Sequence, residues 1–191
     1  MDQYLAEDLI AFLKVTDRHL VKRYDLIIIG GAAASIAYGV TRTTSDIDLA
    51  NEIPAELEKA MELARTETGF SIPISHVGVF EPPYNYENRI SQLDKSDFKN
   101  LRLFVPERHD LALMKMVRGY ENDIQAIEEI HQAAPFEFDI LVDRFMNEMT
   151  QAIGRPGEIR LNFLLMIETL FGNELTQEAD RITKKWGALK A

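Results

Sequence analysis

The sequence predicts an α+β fold: a mixed β-sheet flanked by helices, then a helical C-terminal half. Three observations carry this. A short isoleucine-rich run, Tyr24 to Ile29, stops at Gly30-Gly31 as a buried strand would. The middle of the chain alternates apolar and polar residues. From Pro106 onward apolar residues recur at helical spacing, with breaks at Gly119, Ala134-Pro135, Gly154-Arg155-Pro156 and Gly172-Asn173. Residues 1–106 are expected to form the sheet-bearing core and 107–191 the helical region, either separately or as one continuous domain.

Taken in order, residues 3 to about 22 carry apolar positions at Leu5, Leu9, Ile10, Phe12, Leu13, Leu20 and Val21, a spacing that suits an amphipathic helix. After the first strand and the glycine pair, the small residues from Ala32 to Tyr38 read as a closely packed helix. A polar loop leads to Asp46-Ile47-Asp48-Leu49, a second strand. Pro54 opens a helix over about 55 to 66, at the position where its fixed φ does least harm. Ile72 to Phe80, Glu87 to Leu93 and Asn100 to Val105 are strand-like. Helices are expected at about 107–117, 121–133, 136–152, 156–172 and 175–189.

Bulk properties narrow the chemistry. With 31 acidic against 21 basic residues the net charge is −10, which disfavours broad electrostatic binding to nucleic acid and suits a basic protein partner. Cysteine is absent, so disulfides, thiolate metal sites and cysteine nucleophiles are excluded. An acidic N-terminal stretch and the lack of a long apolar run predict a cytoplasmic protein with no membrane segment. The four histidines show no ligand spacing, and Met114, Met116, Met146 and Met149 read as core.

The chemistry-bearing pattern is Asp46-x-Asp48 behind Gly30-Gly31. Residues i and i+2 of a strand share a face, so Asp46 and Asp48 are neighbours while Ile47 points into the core. Two adjacent carboxylates repel unless a cation lies between them, and Mg²⁺ (or Mn²⁺) takes few carboxylates and completes its shell with waters and phosphates. Taken alone, such a pair is more often two solvated acids. The glycine pair before a small-residue helix changes that balance, because its backbone N–H groups can approach a phosphate. Ser35, one turn on, can add a hydroxyl.

The stretch Ile28-Ile29-Gly30-Gly31-Ala32-Ala33 through Arg42-Thr43-Thr44-Ser45-Asp46-Ile47-Asp48-Leu49 resembles the signature of the polymerase-β-like nucleotidyltransferase superfamily. Within it the chain is similar to small prokaryotic antitoxin-associated and AbiEii-type nucleotidyltransferases. A second patch, Leu111 to Met116 followed by Arg118 to Ile124, is similar to the helix lysine and helix-opening acid of the same families, at Lys115 and Asp123. Ala126 stands where the family often repeats an acid. The resemblance implies Asp46 and Asp48 as metal ligands, and Asp46, Asp48 and Lys115 as catalytic residues. It implies Gly30, Gly31, Ser35, Thr44, Lys115 and Asp123 around a nucleoside triphosphate. It also implies a third carboxylate on a later strand, for which Glu87 is the first candidate, ahead of Glu81 and Asp94. Glu87 would share a strand face with Arg89, which makes an ordinary ion pair its competing role.

The function so implied is transfer of a nucleoside monophosphate from a triphosphate to a protein or RNA acceptor, in a toxin–antitoxin or phage-defence pair. The alternative is a non-catalytic antitoxin-type binding protein with a degenerate site.

Overall fold

The computed structural model describes residues 2–94 and 97–190. The chain divides into two compact units, Met1–Gly78 with Ile90–Pro106, and Val79–Arg89 with Glu107–Ala191.

The first unit opens with helix α1, Ala6–Arg18, whose Leu9, Phe12 and Leu13 are fully buried. Asp8 reaches back to accept the Leu5 N–H at 2.9 Å, satisfying one donor orphaned at the helix start. β1, Tyr24–Ile29, buries Leu26, Ile28 and Ile29 and runs straight into α2, Gly30–Tyr38. In α2 the alanines Ala32, Ala33 and Ala34 are buried, so the small-residue composition lets this helix pack close. β2, Ile47–Leu49, is shorter than its motif: Asp46 lies one residue ahead of the strand. Ile47 and Leu49 are fully buried while Asp48 between them is half-exposed, which is the expected alternation.

α3, Ala55–Thr68, then carries the chain to β3, Ile74–His76, in parallel with β2; a parallel pair needs such a crossover. Only three residues of the expected Ile72 to Phe80 strand pair. β4, Ser91–Gln92, and β5, Leu101–Val105, complete a five-stranded mixed sheet of order β3-β2-β1-β5-β4. β1 lies antiparallel to β2 and parallel to β5. The start of β5 is tied to α1 by buried Asp17, whose carboxylate accepts the backbone N–H groups of Lys99, Asn100 and Leu101 at 3.0, 2.6 and 2.6 Å.

The second unit is helical: α4 (Arg108–Arg118), α5 (Glu121–Ala133), α6 (Phe138–Glu148), α7 (Pro156–Phe171) and α8 (Asn173–Thr183). The last expected helix stops at Thr183, and a 3₁₀ segment, Trp186–Lys190, follows. Trp186 is fully buried in a stack with Phe145 and Phe163, at centroid distances of 4.5 and 4.0 Å between neighbouring rings. No described helix is long and apolar enough to cross a membrane.

Candidate nucleotide and metal site

Strand register brings the glycine pair and the acids together. Ile29, the last residue of β1, pairs with Asp48. The next residue, Gly30, opens α2 with φ +68°, a left-handed conformation that glycine adopts without steric cost. A Cβ on Gly30 would sit 3.1 Å from Asp48 Oδ2, and one on Gly31 would sit 2.8 Å from Thr44 Oγ1. A side chain at Gly30 would press on Asp48, and one at Gly31 would force Thr44 to shift. The consequence is that the Asp48 carboxylate lies directly against the N-terminus of α2, where the helix field favours negative charge.

Asp46 is half-exposed and accepts the Thr44 hydroxyl at 3.3 Å. Thr44 is itself fixed by backbone pairing with Tyr4, at 2.8 and 3.0 Å. Gly30, Gly31, Thr44, Asp46 and Asp48 thus form one cluster at the end of β1. Ser35 does a different job from the one its position suggested. It is buried, and its hydroxyl donates to the Arg42 carbonyl at 3.1 Å, holding the loop that precedes Thr44.

In the second unit Lys115 and Asp123 are both buried, and Lys115 Nζ donates to Asp123 Oδ1 at 3.2 Å. Arg118 donates to the same oxygen at 2.6 Å, while Asp123 Oδ2 is buried with no hydrogen-bond partner among the described residues. The spacing of eight residues places the lysine late on α4 and the acid in the first turn of α5, so the Gly119 turn brings them face to face.

Comparison with known families decides the class. A family model described as a nucleotidyltransferase of unknown function (DUF6036) matches residues 7–168, most of the chain. The chain belongs to this nucleotidyltransferase family. No curated protein and no solved structure matches it.

For a nucleotidyltransferase the donor set at Asp46 and Asp48 fits a hard divalent cation: carboxylate oxygens flanked by a hydroxyl, beside backbone N–H groups suited to phosphate. The described residues contain no group of three or more His, Cys, Asp or Glu side chains arranged to hold a metal. A cation here would rely on the two aspartates and complete its shell with water and substrate oxygens, as Mg²⁺ commonly does.

Glu87 needs correction. It lies in a 3₁₀ turn, Tyr86–Arg89, rather than on a strand, and it is exposed within the second unit. Its expected partner is committed elsewhere: Arg89 makes a two-pronged contact with Asp110, at 2.7 and 2.9 Å, and also bonds Glu148 at 2.6 Å. Of the other candidates, Asp94 is exposed, and Glu81 accepts the Ile153 N–H at 2.9 Å.

Sequence reasoning missed Ser75, the cross-strand neighbour of Asp48, whose hydroxyl donates to Asp48 Oδ1 at 3.5 Å. No local signal marks it, because the register of β2 on β3 is set across 27 residues.

Arg89 belongs to a buried ionic network. Asp110 is fully buried and also takes a bond from Arg144 at 2.8 Å, while Arg144 bonds Glu107 at 2.5 Å. The Glu137 N–H donates to His109 Nε2, which leaves the ring proton on Nδ1, 2.8 Å from Glu107. Burial pushes the Glu107 carboxyl up, but the His109 and Arg144 hydrogen bonds outweigh it and hold the group down at about 2. Glu148 is likewise lowered: Arg89 and the Asn85 N–H outweigh its burial.

Proposed function

We propose that this nucleotidyltransferase moves a nucleoside monophosphate from a nucleoside triphosphate to a hydroxyl acceptor, in a reaction that depends on Mg²⁺ or Mn²⁺. The observation that carries this is the Asp48 carboxylate seated against Gly30 at the start of α2, beside Asp46. Backbone N–H groups at Gly30 and Gly31 would bind the β- and γ-phosphates, which the absence of side chains there lets approach. Asp46 and Asp48 would hold the cation, with Thr44 orienting Asp46 through its hydroxyl. When bound, the divalent ion supplies charge neutralisation for the triphosphate. Holding the α-phosphorus in one place relative to the acceptor hydroxyl lowers the entropic cost of in-line attack, and pyrophosphate leaves.

The net charge of −10 favours a protein acceptor over RNA, since RNA would need a basic surface. That charge and the resemblance to antitoxin-associated enzymes support a second protein as partner, in a toxin–antitoxin or phage-defence pair. A second reading, a binding protein with a degenerate site, draws support from the lack of a three-acid cluster among the described residues.

One experiment separates the two readings. The chain is incubated with Mg²⁺, α-labelled triphosphates and protein or RNA fractions, beside the Asp46→Ala, Asp48→Ala double variant. Label transfer that disappears in the variant supports the enzyme. Neutralisation of a partner that survives the double substitution supports the binder and overturns catalysis as the function.

A further inference from the structure

At the edge of the sheet a hydroxyl stands beside Asp48. Among the described residues β3 is the outermost strand on that side and pairs in parallel with β2 alone. Ser75 is the cross-strand partner of Asp48, and such partners project to the same face. Its Oγ lies 3.5 Å from Asp48 Oδ1, and the residue is exposed. Thr44 also touches the pair, but it is half-buried and pressed against Gly31. Of these two hydroxyls, Ser75 is the more exposed.

We propose that Ser75 is an internal acceptor, so that the site nucleotidylates its own chain; this rests on the nucleotidyl-transfer reading above. In the step, Ser75 Oγ forms a bond to the α-phosphorus. The bond from that phosphorus to the oxygen bridging the β-phosphate breaks, and pyrophosphate departs with the electron pair. The hydroxyl proton is released to solvent. Nothing is oxidised or reduced, and the product is a serine phosphodiester carrying one negative charge. Asp48 orients the hydroxyl by accepting its hydrogen bond. The adduct sets a fixed anion beside Asp46 and Asp48 and a nucleoside in front of the glycine turn. Like-charge repulsion then opposes entry of a second triphosphate. The modification is self-limiting, at one adduct per chain, and it silences the site.

The test is intact-mass measurement of the full chain after incubation with Mg²⁺ and each of the four common ribonucleoside triphosphates, with peptide mapping of any adduct. Pyrophosphate release in the presence of protein and RNA acceptors is followed in parallel. The expected result is a mass increase of one nucleoside monophosphate, mapped to Ser75, lost in Ser75→Ala and kept in Ser75→Thr, which retains the hydroxyl. Mapping on the unsubstituted chain decides the site even where a variant folds poorly. An adduct at another residue, or one that persists in Ser75→Ala, overturns the proposal. Pyrophosphate release with no adduct overturns it while leaving transfer to other acceptors standing. Absence of both adduct and release overturns self-modification and the transfer reading together.

Discussion

Two groups of carboxylates in this chain face opposite circumstances. Asp110, in the second unit, is fully buried and takes hydrogen bonds from both Arg89 and Arg144. Asp46 and Asp48, in the first unit, are half-exposed and lie against hydroxyls and the glycine turn. Charge inside a fold is tolerated when opposite charge and good geometry compensate its desolvation, and the Asp110 network meets that condition. Asp46, just ahead of β2, and Asp48, within it, stay accessible beside the glycine turn, as the proposed exchange of a metal-bound triphosphate requires. The first group should therefore matter to stability and the second to binding and turnover.

The largest expected effect breaks the first half of that contrast. Asp110→Ala leaves two guanidinium groups without their shared acceptor and should cost about 3–5 kcal/mol of unfolding free energy, read by denaturant titration. Asp46→Asn with Asp48→Asn should do the reverse. Stability changes little, while label transfer falls by about a hundredfold or more. A double variant that unfolds instead would erase the distinction between the groups.

Gly30→Ala tests the join between strand, helix and acid. A side chain at φ +68° costs roughly 1–2 kcal/mol, and the new Cβ presses on Asp48 Oδ2. Both melting temperature and triphosphate affinity should drop. The pH response is subtler. Glu107 is held at about 2 in the fold against its ordinary 4.5, so the folded state binds its proton less readily than the unfolded chain. Its contribution is present above about pH 4.5 and is lost as pH falls through about 2. Acid titration of stability should show that loss, and Glu107→Gln should flatten it. Glu87→Gln should have the smallest effect, within about 0.5 kcal/mol in stability for an exposed surface position. Transfer activity should also stay within about twofold, the outcome expected if Glu87 takes no part in transfer.

The parts of the site legible in the sequence are those written by local rules. An apolar run ending in two glycines specifies β1 and the turn into α2, and alternation around Ile47 specifies which way Asp48 faces. Glu87 was illegible for the opposite reason. From Glu87 to Leu93 the only apolar residues are Ile90 and Leu93, three apart, so the strand signal is weak, and Arg89 bonds Asp110 and Glu148, 21 and 59 residues away, from a 3₁₀ turn. Ser35 shows the same limit at short range. Its place one turn into α2 is clear, yet only the return of the loop brings the Arg42 carbonyl to its hydroxyl. Ser75 carries no motif at all, and only the pairing of β3 with β2 sets it beside Asp48.

Calorimetric titration of each nucleoside triphosphate, with and without Mg²⁺, into the chain and the Asp46→Asn, Asp48→Asn variant tests the central claim most directly. Binding should require Mg²⁺ and be lost in a variant whose melting curve is unchanged. Binding of equal strength without the metal, or in the variant, would contradict it.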